Sequence, residues 1–217
     1  MRFLIIRRLT FVLFAMPLVL AVGAHAHPHV WVNVETEIDM GPNKEITGFK
    51  HKWTFDEFYS EFAVQGLDTN GDGKYSEEEL KPLAQTNIEA LKEFEYFTFP
   101  FVGKRKLALK EPVEYRLEYK DKVLTLYFTL PLAEPVKAEQ VADFNFSVYD
   151  PGMYVAMTFD KKAPVTVASA RPVDCSAHVG DRSSAKSAAM AQLGENIDAA
   201  SNYGAQFAER VTITCKS

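Results

Sequence analysis

The chain has 217 residues, 24 basic and 29 acidic side chains, and a formal net charge of −5 at pH 7. This acidic balance argues against a protein that binds nucleic acid or an anionic membrane surface, so we expect no nucleic-acid partner. The length and the 47% of hydrophobic residues suffice for one sizeable core.

The first 26 residues have the composition of a secretory signal peptide. Three arginines precede an uncharged, mostly apolar run at residues 9–24, and small residues follow at Ala24 and Ala26. We predict cleavage after Ala24 or Ala26 and a periplasmic or secreted protein, whereas retention of the run as an N-terminal anchor is the alternative. Cleavage removes three positive charges and leaves a formal charge of −8.

Cys175 and Cys215 are the two cysteines of the chain. Both lie in the part predicted to be exported, where an oxidising compartment favours a disulfide. A thiolate metal site is the alternative.

The pattern after the leader is mainly β. Residues 30–39 and 45–55 alternate apolar and polar side chains on either side of the turn sequence GPNK, which predicts an antiparallel hairpin. His51 shares the phase of Phe49 and Trp53, so we expect a core or hydrogen-bonded histidine there. Further strands are predicted at 113–119, 122–130, 144–150, 154–159 and 164–169.

Helices are predicted in two places. A short helix at 56–64 and a longer one at about 77–94, with Pro82 in its early turns, form an insertion between strands. Residues 181–210 are a weakly amphipathic helix or a partly disordered loop, followed by the strand VTITC. We therefore predict an α+β, mainly β fold: one antiparallel β-sandwich-like domain at 27–217, with an EF-hand-type helical insertion at about 56–95 and a C-terminal helix–strand.

The loop DTNGDGKYSEEE, residues 68–79, has the pattern of an EF-hand calcium loop. Such a loop needs acidic or amide oxygens at positions 1, 3 and 5, glycine at 6, a backbone carbonyl at 7 and glutamate at 12. These positions, with position 9, hold Asp68, Asn70, Asp72, Gly73, Lys74, Ser76 and Glu79. Because no second loop of this kind is visible in the sequence, we expect a structural Ca²⁺ ion more than a regulatory one. We expect weak binding, at roughly 10⁻⁴–10⁻³ M.

Three histidines, His25, His27 and His29, cluster where the leader ends. Cleavage after Ala26 makes His27 the first residue, so that its amine and imidazole lie near the imidazole of His29. Cleavage after Ala24 instead gives His25-Ala26-His27, a square-planar Cu²⁺ or Ni²⁺ chelate. The first of these ends suits Zn²⁺, Ni²⁺ or Cu²⁺, whereas the second prefers Cu²⁺ or Ni²⁺.

Two acidic residues are candidates to complete this transition-metal site. A tight turn near 41–44 would place His29 beside Asp56 on the neighbouring strand, with Glu57 next to it. We therefore predict a site formed by His27, His29, Asp56 and Glu57.

Several stretches resemble an uncharacterised bacterial periplasmic family, a domain of unknown function loosely described as the periplasmic component of an ABC-type transport system. The shared stretches, within about residues 25–180, are HPHVWV, WTFDEFYS, the DxNGDG loop, YFTF, TLPLAEP and VYDPGMYVAMTF. The resemblance implies association with nickel/cobalt- or zinc-type permeases. The motif positions that it carries over are His27, Pro28, His29, Trp53, Asp56, Glu57 and Asp150.

The sequence therefore favours an exported metal-binding accessory of a divalent-metal permease or ABC transporter, stabilised by Ca²⁺. A calcium-stabilised binding or adaptor module without a transition-metal role is the alternative. An enzyme is not expected, because the sequence shows no nucleophile–base constellation and no zinc-peptidase helix motif. For Asp150 we expect the start of a turn more than a metal ligand.

Overall fold

The computed structural model describes residues 28–180 and 202–216. The strands in these residues are β1 Val30–Met40, β2 Ile46–Phe55, β3 Thr98–Val102, β4 Arg105–Lys106, β5 Val113–Lys120, β6 Val123–Val136, β7 Phe144–Val148, β8 Val155–Phe159, β9 Val165–Ser169, β10 Cys175–Val179 and β11 Arg210–Cys215. The α-helices are α1 Glu57–Ala63 and α2 Glu77–Lys92, and short 3-10 segments are Glu95–Phe97, Ala138–Asp143 and Tyr203–Gln206.

The strands form two sheets. The first has the order β5-β6-β2-β1-β8, with β9 also paired to β1, and the second has the order β10-β11-β7-β3-β4. The pairs are antiparallel except that β1 runs parallel to both β8 and β9, so the first sheet is mixed. The predicted α+β, mainly β class is confirmed.

The core lies between the two sheets. Phe49 of β2 contacts Phe144 and Phe146 of β7, with ring centroids 6.2 and 4.9 Å apart. Alternate residues of β1 and β6 are buried against this layer, as their period of two predicts. The polar phase of the same strands faces outward.

The register of the first hairpin differs from the prediction by two residues. Trp31, and not His29, lies opposite Asp56: the Trp31 N–H donates to Asp56 Oδ2 at 3.0 Å and the Asp56 N–H donates to the Trp31 carbonyl at 2.9 Å. The turn between Met40 and Ile46 is longer than the assumed tight turn, and the register shifts between the pairs Met40–Ile46 and Asp39–Gly48. Together these two differences displace the pairs from Asp39–Gly48 onward by two residues.

The helical insertion (residues 56–95) connects β2 to β3. Asp56 caps α1, and Ser76 caps α2 through a capping box with Glu79. The side chains of Leu80, Ala84 and Ile88 bury one face of α2. This helix ends at Lys92, two residues before the predicted end.

The C-terminal segment returns the chain to the second sheet. Cys175 and Cys215 pair across β10 and β11 and form a disulfide, as predicted. Residues 203–206, near the end of the segment predicted as a helix or a partly disordered loop, form a 3-10 segment. The predicted leader and residues 181–201 lie outside the described residues. None of the helices at 28–180 and 202–216 has the length and apolarity that a membrane crossing requires.

Candidate metal-binding sites

The loop at 68–79 is wound around the carboxylate of Asp68. Oδ1 accepts hydrogen bonds from the N–H groups of Gly71 at 2.7 Å and Asp72 at 3.2 Å, and Oδ2 accepts one from Gly73 at 2.9 Å. Gly71 and Gly73 have φ angles of +73° and +77°, which glycine adopts without steric cost. The sequence DTNGDG thus specifies a tight, oxygen-rich loop.

Glu79 closes the other end of the loop. Its Oε1 accepts from the N–H and the hydroxyl of Thr69, both at 2.9 Å, and its Oε2 accepts from the N–H and the hydroxyl of Ser76 at 2.9 and 2.8 Å. These bonds, chiefly those from Ser76, lower the pKa of Glu79 to about 2. The contact with Thr69 was not predicted, because position 2 of such a loop is not a ligand position.

The chemistry of this loop fits Ca²⁺, but the present arrangement of its carboxylates fits only in part. Its candidate ligands are hard oxygens, as Ca²⁺ prefers. However, within residues 28–180 and 202–216 no three His, Cys, Asp or Glu side chains converge on one point. Glu79 would therefore have to exchange its bonds to Thr69 and Ser76 before it could act as a calcium ligand.

His29 lies immediately before β1 and is exposed. The backbone N–H of His29 donates to the backbone carbonyl of Tyr154 at 2.9 Å, and the centroids of the two side-chain rings lie 4.8 Å apart. Tyr154 was not a predicted site residue, since its proximity depends on the parallel pairing of β1 with β8. His27 falls outside the described residues.

The two acidic candidates lie at the start of α1. Both carboxylate oxygens of Asp56 accept backbone N–H groups, Oδ2 from Trp31 and Oδ1 from Tyr59 at 2.9 Å. Asp56 therefore connects β1 to α1, while Glu57 is exposed in the first turn of this helix. Because the register differs, the structure does not pair His29 with Asp56.

Asp150 organises a turn. Its Oδ1 accepts the N–H of Gly152 at 2.8 Å and its Oδ2 accepts the N–H of Val155 at 2.9 Å. Both oxygens thus hold the chain that enters β8, which confirms the expected turn.

A family described as "Protein of unknown function (DUF1007)" matches residues 12–215. The chain belongs to the DUF1007 family. This match confirms the resemblance to an uncharacterised family and spans both sheets and the helical insertion of this DUF1007 chain.

Two relatives resemble this DUF1007 chain. An uncharacterized protein of Haemophilus influenzae is 29% identical over 204 residues, which cover 92% of this chain and 96% of the relative. An "Uncharacterized 15.5 kDa protein in trpE 3'region" of Spirochaeta aurantia is 31% identical over 104 residues, or 48% of this chain and 73% of the relative.

Proposed function

We propose that this DUF1007 protein is an exported periplasmic protein that binds divalent cations as an accessory to transition-metal transport. In this proposal Ca²⁺ stabilises the helical insertion, and the N-terminal histidines bind Ni²⁺, Co²⁺, Zn²⁺ or Cu²⁺. An inner-membrane metal permease or ABC transporter is the proposed partner. The disulfide of Cys175 with Cys215 supports an oxidising compartment.

The observation that carries the proposal is the convergence of three backbone N–H groups on Asp68. They fix this carboxylate at the first position of a loop whose later positions supply further oxygens. The exchange required of Glu79 opposes binding, which supports a weak affinity of about 10⁻⁴–10⁻³ M, as in extracellular calcium modules.

The position of His29 supports the transition-metal part of the proposal. Val30, the next residue, is 5% exposed and anchors β1 in the core, so the exposed His29 ring is held at the start of the strand beside Tyr154. His27 lies two residues before His29 in the sequence. Glu57 directly follows Asp56, whose carboxylate accepts a hydrogen bond from the backbone N–H of Trp31, two residues after His29. Imidazole nitrogens with a carboxylate suit these metals.

Native mass spectrometry of the processed protein tests the calcium site. We expect one Ca²⁺ per chain at millimolar Ca²⁺, and an affinity about tenfold or more weaker in Glu79→Gln, because the substitution removes the charge at position 12. Glu78→Gln is the matched control, since this neighbouring glutamate makes the same charge change outside the ligand positions. Equal binding by the two variants would contradict the proposed site.

The same spectra with Ni²⁺, Co²⁺, Zn²⁺ and Cu²⁺, together with N-terminal sequencing, test the histidine site. We expect stoichiometric binding of at least one of these metals, lost when His27→Ala and His29→Ala are combined. His178→Ala is the control, because this exposed histidine lies on β10 in the other sheet. Calcium binding alone would reject the transition-metal role and leave a calcium-stabilised binding or adaptor module.

A further inference from the structure

Two phenylalanines of α1 are largely exposed. Phe58 is 83% exposed and Phe62 is 66% exposed, and they lie one helical turn apart on the same side of α1. The opposite side of this segment faces the core through the buried residues Ser60 and Val64. Neighbouring apolar side chains that a fold leaves in water commonly mark a contact surface.

Two further aromatic residues lie beside this helix, at the starts of β1 and β8. Trp31 is 55% exposed, and its backbone N–H donates to Asp56, the residue that caps α1. Tyr154 is 52% exposed. Burial raises the pKa of the Tyr59 phenol in α1, and the proximity of Tyr154 and Asp56 adds to this rise, so the start of β8 is close to α1. We call the following four residues the aromatic end: Trp31, Phe58, Phe62 and Tyr154.

The aromatic end lies where the chain leaves the predicted leader. The apolar, uncharged run at 9–24 ends seven residues before Trp31. Seven residues span at most about 25 Å, even when fully extended. During export the leader is in the membrane, and the aromatic end is therefore within this distance of the bilayer surface.

The charges of α1 indicate which lipids this surface fits. The helix carries Glu57 and Glu61 beside the two phenylalanines, and it has no basic residue. Helices that bind anionic lipids present lysine or arginine to the headgroups, whereas these carboxylates would be repelled. A zwitterionic headgroup instead offers an ammonium group to the carboxylates and adds no net negative charge.

We propose that the aromatic end attaches the protein peripherally to the surface of a neutral, zwitterionic lipid bilayer. Phe58 and Phe62 enter the boundary between headgroups and acyl chains, and Trp31 and Tyr154 lie at the level of the headgroups, where tryptophan and tyrosine are enriched. The inference rests on the proposed export of the protein but not on its cation binding. Such attachment would keep the protein close to a partner in the inner membrane.

Cosedimentation of the processed protein with phosphatidylcholine vesicles tests the attachment. We expect the wild type to bind, and the combined variant Phe58→Ser and Phe62→Ser to bind about tenfold or more weakly, because it loses the burial of two phenyl rings. Phe207→Ser is the matched control, since this residue is 40% exposed but follows the 3-10 segment at 203–206, next to the second sheet. Melting temperatures report that each variant is folded. N-terminal sequencing of the exported protein tests export separately.

Quenching of tryptophan fluorescence by acrylamide reports which end of the protein meets the lipid. Trp31 is exposed and Trp53 is only 2% exposed, so the quencher acts mainly on Trp31. We expect phosphatidylcholine vesicles to reduce this quenching, and phosphatidylglycerol vesicles to bind more weakly. The proposal would be overturned by an absence of binding to phosphatidylcholine, as a surface for a protein partner would give. Equal binding of the double serine variant, unchanged quenching or stronger binding to phosphatidylglycerol would also overturn it.

Discussion

His51 is a buried histidine held between two threonine hydroxyls. Its Nδ1 lies 3.0 Å from Thr36 Oγ1, and its Nε2 lies 3.2 Å from Thr98 Oγ1. The Thr98 hydroxyl donates its single proton to the carbonyl of Tyr96 at 2.9 Å, so it has to accept from His51. We infer that Nε2 carries the proton and that Nδ1 accepts from Thr36.

Burial lowers the pKa of His51 to about 3, against an ordinary value of 6.5. Below pH 6.5 the unfolded chain binds a proton that the folded chain does not, so stability falls as the pH decreases towards 3. This single group removes about 2 kcal/mol of unfolding free energy between pH 6 and pH 4.5.

We predict that His51→Gln weakens this pH dependence, because its amide can replace the Nε2 donor but does not titrate. Urea unfolding at pH 6, 5.25 and 4.5 measures the effect as the difference in slope between variant and wild type. The pKa values of Glu79 and Asp160 are lowered to about 2, so the stabilisation that these carboxylates provide is lost mainly below pH 4.5. Between pH 6 and pH 4.5 the titration of His51 therefore has the larger effect. Parallel curves for the two proteins would exclude a neutral, buried His51.

The sequence placed His51 on the core phase, and the structure confirms that interpretation. Its partners were not predictable, since Thr98 lies 47 residues away and on the other sheet. Similarly, the sequence predicted the oxygens of loop 68–79 but not the bonds from Thr69 that hold Glu79. Local patterns specify phase and motif, whereas contacts between distant segments depend on the whole fold.

At the scale of elements, the 3-10 segment at 203–206 packs tightly against the turn that Asp150 organises. The Gly204 N–H donates to the carbonyl of Pro151 at 2.9 Å. A Cβ at this glycine would lie 1.8 Å from the backbone oxygen of Asp150, so no side chain fits without movement of the backbone.

Gly204→Ala should therefore destabilise the protein by about 1–3 kcal/mol through overpacking. Thermal unfolding checks this expectation, with Gly152→Ala as the control in the same turn. A Cβ at Gly152 would meet Asp150 Oδ1 at an ordinary 3.5 Å, so its replacement should be nearly neutral. Equal melting temperatures for the two variants would show that the segment does not hold this contact in solution.

The element boundaries show what the sequence determines locally. The capping residues Asp56 and Ser76 begin α1 and α2 within a residue of the predicted starts. The predicted register of the first hairpin was wrong because the turn is one residue longer than the assumed tight turn and the bulge near Thr47 adds another, and neither leaves a clear signal in an alternating pattern. That error of two residues is what placed His29 opposite Asp56 in the predicted metal site.

For the whole molecule, the disulfide and the mainly β class followed from composition and periodicity. The mixed sheet did not, because the pairing of β1 with β8 and β9 joins segments more than a hundred residues apart. This pairing brings Tyr154 beside His29.

The helical insertion is part of the same core. Leu80 and Ala84 of α2 are 1% and 2% exposed, and α2 begins inside loop 68–79. A cation that orders this loop therefore stabilises a helix on which the core depends, and not only an exposed turn. The free energy of unfolding of the whole protein should therefore increase when a cation binds to loop 68–79.

The most direct test of the central claim is the melting temperature of the processed protein as a function of Ca²⁺ concentration. An affinity of 10⁻⁴–10⁻³ M predicts about 1–2 kcal/mol of stabilisation at 5 mM Ca²⁺, or a rise on the order of 2–8 °C. The same concentration of Mg²⁺ should give a smaller rise, and Glu79→Gln should reduce the response to Ca²⁺. A melting temperature that stays constant from chelator to 5 mM Ca²⁺ would contradict a calcium-stabilised insertion.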